Sequence, residues 1–145
     1  MEVNVRYSRP KDFNAIFSLL SQLWPNKELD SYDLKEVFNR GIESNSDEYI
    51  CAEADGKVIG FCALSIVNNF WYEGLVSYIY AMIVDNSFRG QGIGTSILEK
   101  ALDISKSNGC KRIELNYDFP RENSFSFYKK IGFEEKSYLF SKDIH

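Results

Sequence analysis

Arg89-Gly90-Gln91-Gly92-Ile93-Gly94-Thr95 lies between an apolar run, Leu75–Val84, and an amphipathic run that ends near Ser107. The order is strand, glycine-rich loop, helix. Glycine lets the backbone turn tightly and lets a ligand approach where a Cβ would stand. The first N–H groups of a helix have no partner within it, and the helix dipole adds partial positive charge there. The segment therefore reads as an anion site suited to phosphate, with Arg89 as a permanent charge at its entrance. No Lys follows Gly94, so this is no Walker A loop. A dinucleotide fingerprint needs a third glycine, which Gly92-Ile-Gly-Thr-Ser lacks. On these residues alone, a turn that merely starts a helix stays open beside the phosphate cradle.

Outward from the loop, the periodicity of apolar residues predicts the rest. Val3, Val5 and Tyr7 alternate with polar residues as a strand does. Pro10 opens a helix with Phe13, Ile16, Phe17, Leu20 and Leu23 on one face, ended by Trp24-Pro25-Asn26. A second helix starts near Ser31, capped by Asp30 or Ser31, with Leu34, Val37 and Phe38 as its stripe. Glu48–Ala54 and Lys57–Val67 flank Asp55-Gly56, a type I′ hairpin signal. The long apolar run Leu75–Val84 predicts a central strand. After the loop, Ile93, Ile97, Leu98, Ala101, Leu102 and Ser105 share a helix face, and Gly109 suits its C′ position. Ile113–Tyr117 predicts a strand, Ser124–Ile131 a helix and Ser137–Lys142 a closing strand. The expected fold is α/β: a mixed, mostly antiparallel sheet in the order βααβββαβαβ, with the strand–loop–helix at its centre.

A length of 145 residues predicts one domain over residues 1–145. No apolar run approaches the ~18 residues of a membrane span, and the first residues lack the apolar core of a signal peptide, so a cytoplasmic location is expected. Cys51, Cys62 and Cys110 are scattered among apolar neighbours and the one His is terminal, so buried free thiols and no metal site are expected. The net charge of −4 is uneven, with 11 acids against 6 bases in residues 1–55. That half would repel a nucleic-acid backbone and attract a cationic partner.

Several spaced motifs bring out a family resemblance. Arg89-Gly-Gln-Gly-Ile-Gly has the Arg/Gln-x-x-Gly-x-Gly/Ala pattern of the GNAT family of N-acetyltransferases. Tyr80-Ala-Met-Ile-Val-Asp85 resembles the family's fourth strand, and Leu98-Glu-Lys-Ala-Leu-Asp the helix after the loop. Gly109-Cys-Lys-Arg-Ile-Glu-Leu is similar to the lead-in of the fifth strand. Phe127-Tyr-Lys-Lys-Ile-Gly-Phe133 is similar to the Phe/Leu-Tyr-x-x-x-Gly-Phe signature. The likeness covers roughly residues 48–143 and, with the two leading helices, the whole domain.

The resemblance implies acetyl-CoA as co-substrate. Backbone groups of Met82, Ile83 and Val84 would bond the pantetheine arm. Amides of Arg89, Gly90, Gln91, Gly92, Ile93, Gly94 and Thr95 would hold the pyrophosphate. Tyr128 would give a proton to the departing thiolate. The Met82 N–H would polarise the thioester carbonyl. A primary amine near pKa 10.4 is neutral in only about one molecule in 10³–10⁴ at pH 7, so the site must also remove its proton.

Two positions depart from the family pattern. Tyr80 stands where many members carry a Glu general base, and could hydrogen-bond the amine or a water. Arg121 stands where many have an Asn that touches the coenzyme; Asn123 lies nearby at another spacing. Arg121 would suit a phosphate contact. Glu73, Asp118 and Glu53 are alternative bases.

Only 12 residues follow Phe133, short for the family's closing hairpin, so the last strand is expected to pair with a second copy as a homodimer. Leu23-Trp24 with the acidic stretch after it, and the ending Leu139-Phe-Ser-Lys-Asp-Ile144, resemble aminoglycoside 6′-N-acetyltransferases. Glu28, Asp30, Asp33, Glu36, Glu43, Asp47 and Glu48 would favour a small cationic amine, and Trp24, Trp71 and Tyr72 could offer stacking surface. Acetylation of a peptide or protein amine, and a noncatalytic acetyl-CoA sensor, are the other readings.

Overall fold

A computed structural model describes residues 1–116 and 122–145 as two compact units, Met1–Glu114 and Leu115–His145. The larger holds a sheet whose strand order equals chain order: β1 (Asn4–Tyr7), β2 (Asp47–Ala54), β3 (Lys57–Asn69), β4 (Gly74–Val84) and β5 (Arg112–Leu115). The first four pair antiparallel with one another in order. β5 joins β4 after a helical crossover, which makes the sheet mixed. The Lys111 N–H donates to the Leu75 carbonyl at 2.8 Å, so β5 starts beside the beginning of β4. The strand expected at the centre, β4, is inner but next to last; β3 holds the middle, with Val58–Leu64 buried throughout.

Helices cover both faces. On one, α1 (Phe13–Leu23) and α2 (Ser31–Glu43) pack Phe13, Ile16, Leu19, Leu20, Leu23 and Phe38 against Tyr49, Cys51, Phe61, Ala63, Ala81 and Ile83. On the other, α3 (Ile93–Ser107) buries Ile93, Ile97, Leu98, Ala101, Ile104 and Ser105. A Cβ on Gly60 would stand 2.7 Å from Ile97 Cδ1, so the missing side chain lets α3 sit close to β3. Pro10–Asp12 forms a 3₁₀ turn ahead of α1, so the helix starts three residues later than the proline suggests. Asp30 caps α2 by accepting from the Asp33 N–H at 2.9 Å. Asp55 and Gly56 both have positive φ, 52° and 75°, as a type I′ turn requires.

Further sequence expectations need correction. Val37 is 42% exposed, because α2 buries only Phe38 and Gly41 fully. Ile104, not Leu102, completes the buried face of α3. Ser137–Lys142 forms no strand: residues 133–145 have no regular structure, and among the described residues they join no ladder of backbone partners. Tyr117, at the end of the expected fifth strand, lies outside the described residues. Of the thiols expected to be buried, Cys51 and Cys62 are, and desolvation pushes them up to about 11 and about 12; Cys110 is half-buried.

The first unit is locked by a buried ion pair. Arg6 grips Asp12 with two hydrogen bonds of 2.8 and 3.0 Å and reaches Glu53 at 2.8 Å. The Arg9 N–H donates to the same Asp12 carboxylate at 2.7 Å. β1, β2 and the entrance to α1 thus share one guanidinium.

Candidate active site

The loop after β4 is built to leave donors open. Asp85 accepts from the Ser87 N–H at 2.9 Å and starts a 3₁₀ turn, Asn86–Phe88. Gln22 on α1 accepts from the Asn86 N–H at 2.9 Å, which ties the turn to the α1 face. Arg89 is exposed and its Nε donates to the Val84 carbonyl at 3.1 Å, folding the side chain back over the strand end. Gly90 and Gly92 have φ of 77° and 80°, which is the conformation only glycine adopts freely. A Cβ on either would meet nothing within 4 Å, so the space above them is open. Gly92 is the N-cap of α3 and no side chain caps the helix. The first helical bond runs from the Ser96 N–H to the Gly92 carbonyl at 3.1 Å, so Ile93, Gly94 and Thr95 have no partner within the helix for their N–H groups. The Ile93 side chain is buried and Thr95 exposed; Gly94 sits inside the first turn. Open donors, positive dipole and space where side chains would stand fit a pyrophosphate.

β4 carries an irregularity at the residue that departs from the family pattern. Ala63 faces Ala81 and Leu64 faces Ile79, so Tyr80 is an extra residue, a β-bulge. Ala81 belongs to the α1/α2 side of the core, and the bulge turns Tyr80 to that side as well. The Tyr80 hydroxyl lies 2.7 Å from Asp47 Oδ1 and 3.1 Å from the Tyr49 hydroxyl. One phenolic proton cannot serve both, and the shorter contact to the charged oxygen takes it. β2 and β4 are about 10 Å apart with β3 between them. Ala63, opposite both Tyr49 and Ala81, is small enough for the Tyr49 and Tyr80 rings to meet edge to face at 6.4 Å. Tyr49 also stacks on Phe38 at 5.5 Å, which couples the group to α2. Desolvation, then the bonds to Tyr49 and Asp47, raise the Tyr80 pKa well above the usual phenol value. Met82 and Ile83 continue the strand towards the loop, Met82 half-buried and Ile83 buried, and Val84 ends it.

The sequence alternatives separate here. Glu53 is held by Arg6. Glu73 sits in the β3–β4 turn, seven residues from Tyr80 and therefore about 20 Å along the strand. Asp118 and Arg121 lie outside the described residues, as does the side chain of Asn123. Asp47, counted only as one of several acids before, proves to be the carboxylate at Tyr80. Its neighbour Glu48 faces away, beside Tyr7 on the α3 side, with its pKa raised by burial and then by Asp47. Trp71 is 80% exposed at the hairpin tip, Trp24 packs against the α1/α2 core, and Arg112 lies over the Tyr72 ring at 5.4 Å.

In the second unit, α4 (Glu122–Lys130) gives the Tyr-x-x-x-Gly-Phe pattern a structural reason. The Phe133 N–H donates to the Tyr128 carbonyl at 3.0 Å and the Gly132 N–H to Lys129 at 3.2 Å. With Gly132 at φ 100° and the Tyr128 and Phe133 rings 5.7 Å apart, this is a Schellman cap with its hydrophobic contact.

Fold and loop together define an α/β protein with an open anion site at a helix N-terminus, and comparison with known proteins narrows the class. Residues 13–133 match the profile of the acetyltransferase (GNAT) family. An uncharacterized N-acetyltransferase of Methanocaldococcus jannaschii is 34% identical over 66% of the chain, and the match spans 42% of that longer protein. A glucosamine 6-phosphate N-acetyltransferase of Trypanosoma brucei brucei is 27% identical over 92% of the chain and 90% of its own length. The structure of the aminoglycoside N-acetyltransferase AAC(6′)-Iy, in complex with CoA, superposes with a TM-score of 0.88 at 20% identity, over 99% of this chain and 96% of that one. The chain belongs to the GNAT acetyltransferase family. It is accordingly an acyltransferase, an N-acetyltransferase that uses acetyl-CoA.

Proposed function

We propose that the chain, acting as one domain in the cytoplasm, transfers acetyl from acetyl-CoA to a primary amine of a small cationic acceptor, with an aminoglycoside-like polyamine sugar the best fit. The observation that carries this reading is charge. Residues 27–48, which form α2 and its approaches, hold seven acids against three bases. Asp47 and Tyr80 lie at the edge of that surface. A polycation is drawn to such a field, whereas a phosphorylated amino sugar is repelled. In this reading the thioester supplies the electrophile. Amides from Arg89 to Thr95 hold the pyrophosphate, Met82 to Val84 hold the pantetheine arm, and Arg121 adds a phosphate contact. The Met82 N–H polarises the carbonyl. Tyr128 returns a proton to the leaving thiolate.

The test is thiol release from acetyl-CoA with sisomicin, spermidine, glucosamine 6-phosphate and a lysine peptide as acceptors. The reading expects the two polycations to give the highest kcat/KM. Preference for the phosphorylated sugar or the peptide would replace the acceptor class. Tight acetyl-CoA binding without turnover on any amine would make the protein a sensor module.

A further inference from the structure

We propose that Asp47 and Tyr80 form a two-residue proton path that takes the proton from the acceptor's ammonium. The proposal rests on the acetyl-transfer reading above and assigns its missing base. Tyr80 is 36% exposed, so its hydroxyl can be reached by an amine, and it sits on the strand that leads to the coenzyme loop. Its proton is directed to Asp47 Oδ1 at 2.7 Å, which turns a lone pair of the phenol oxygen outward. The bulge supplies this orientation: without the extra residue, strand alternation would set Tyr80 and Ala81 on opposite faces.

The step balances. One ammonium N–H bond breaks as a new O–H bond forms on Tyr80. The former phenolic O–H bond breaks as an O–H bond forms on Asp47. The amine is left neutral, Tyr80 is unchanged and Asp47 is a neutral acid. The amine nitrogen then forms the amide bond as the C–S bond of acetyl-CoA breaks. The nitrogen's second proton ends on the thiol, and Asp47 returns its own to water. Tyr80 stays a phenol, since burial and its two partners keep it from ionising. The groups facing the pair are Tyr49 on β2, Tyr78 on β4 at 6.4 Å ring to ring, and Arg40, whose charge is felt at Tyr49 from α2. Glu48 adds its field to Asp47 from the opposite face.

Asp47→Asn, Asp47→Glu, Tyr80→Phe and the double variant Asp47→Asn/Tyr80→Phe test it, with sisomicin and spermidine as acceptors. Melting temperature and acetyl-CoA affinity are measured on each. At pH 7 the expected result is a fall in kcat of about 100-fold for Asp47→Asn and Tyr80→Phe, with acetyl-CoA affinity unchanged. The double variant loses no more than about threefold beyond either single one, and Asp47→Glu recovers part of the rate. Raising the pH to 9 increases the neutral fraction of an amine of pKa 10.4 about 100-fold. The deficit of Asp47→Asn should then narrow to less than tenfold. A deficit that stays constant between pH 7 and 9 overturns the proposal, because a structural loss behaves that way. Losses that multiply in the double variant, or Asp47→Asn activity within threefold of wild type, also overturn it. In all these cases wild-type turnover leaves the acetyl-transfer reading intact. A wild-type protein that binds acetyl-CoA and acetylates no amine ends both.

Discussion

At Gly92 the backbone holds φ 80°, and a side chain there would be strained whatever the space around it. Gly92→Ala should cost about 1–2 kcal/mol of stability and weaken coenzyme A binding about tenfold, read by thermal melts and calorimetry. Tyr128→Phe keeps the ring contact with Phe133 and removes only the hydroxyl. A proton donor at that place predicts a 10- to 100-fold lower kcat, about 1.4–2.7 kcal/mol of barrier, with little change in melting temperature. Asp12 tests the ion pair instead. Its pKa is lowered chiefly by the hydrogen bonds from Arg6. A carboxylate shifted down stabilises the fold above its unfolded pKa near 3.9, and that contribution is lost as pH falls through the folded value. Asp12→Asn should therefore cost about 3 kcal/mol in urea at pH 7, and the difference from wild type should shrink as the pH falls below that unfolded value. At this scale sequence showed that Tyr80 replaces a glutamate. It did not show the partner, because Asp47 lies 33 positions away and meets Tyr80 only through the sheet register across Ala63.

Helix ends are where the elements follow their residues most closely. Gly109 at α3 and Gly132 at α4 both form Schellman caps: the Cys110 N–H reaches Ser105 at 2.9 Å and Gly109 reaches Lys106 at 3.0 Å, as Phe133 and Gly132 do at α4. Gly132→Ala should fray α4 at a cost of about 1 kcal/mol. Because Tyr128 supplies the capped carbonyl, kcat should fall while acetyl-CoA affinity holds, measured in the same thiol-release assay. The Asp55-Gly56 turn was legible for a similar reason, since few residues accept positive φ in succession. The bulge was not. Eleven residues of β4 are mostly apolar, and nothing in their order marks Tyr80 as the extra one; only pairing with β3 decides it. The α2 stripe misled for another reason. The helix touches the sheet over a narrow strip at Phe38 and Gly41, where a Cβ would collide with the Tyr49 ring, and Val37 is left outside.

Over the whole molecule, charge and the C-terminal tail carry the remaining expectations. If the acidic surface draws the acceptor, kcat/KM for spermidine should fall several-fold between 50 and 500 mM salt, while that for a singly charged amine changes less. The tail presents Tyr138, Leu139, Phe140 and Ile144, exposed by 92%, 67%, 94% and 87%. A second copy is the partner we propose for it. Light scattering at micromolar concentration should give the mass of a dimer, and removal of residues 137–145 should give that of a monomer. The strand expected there was a local reading of a short apolar run, and such a run alone cannot supply the neighbour whose backbone makes a strand.

No side chain caps the N-terminus of helix α3. In the proposed reading a ligand phosphate at Ile93–Thr95 completes the helix, which would link coenzyme binding to folding. At a free concentration 100 times its Kd the coenzyme adds about 2.7 kcal/mol to stability. The bare protein would then be the form most open to unfolding and to proteolysis, and the half-life of the enzyme would become a gauge of the acyl-coenzyme supply on which it draws.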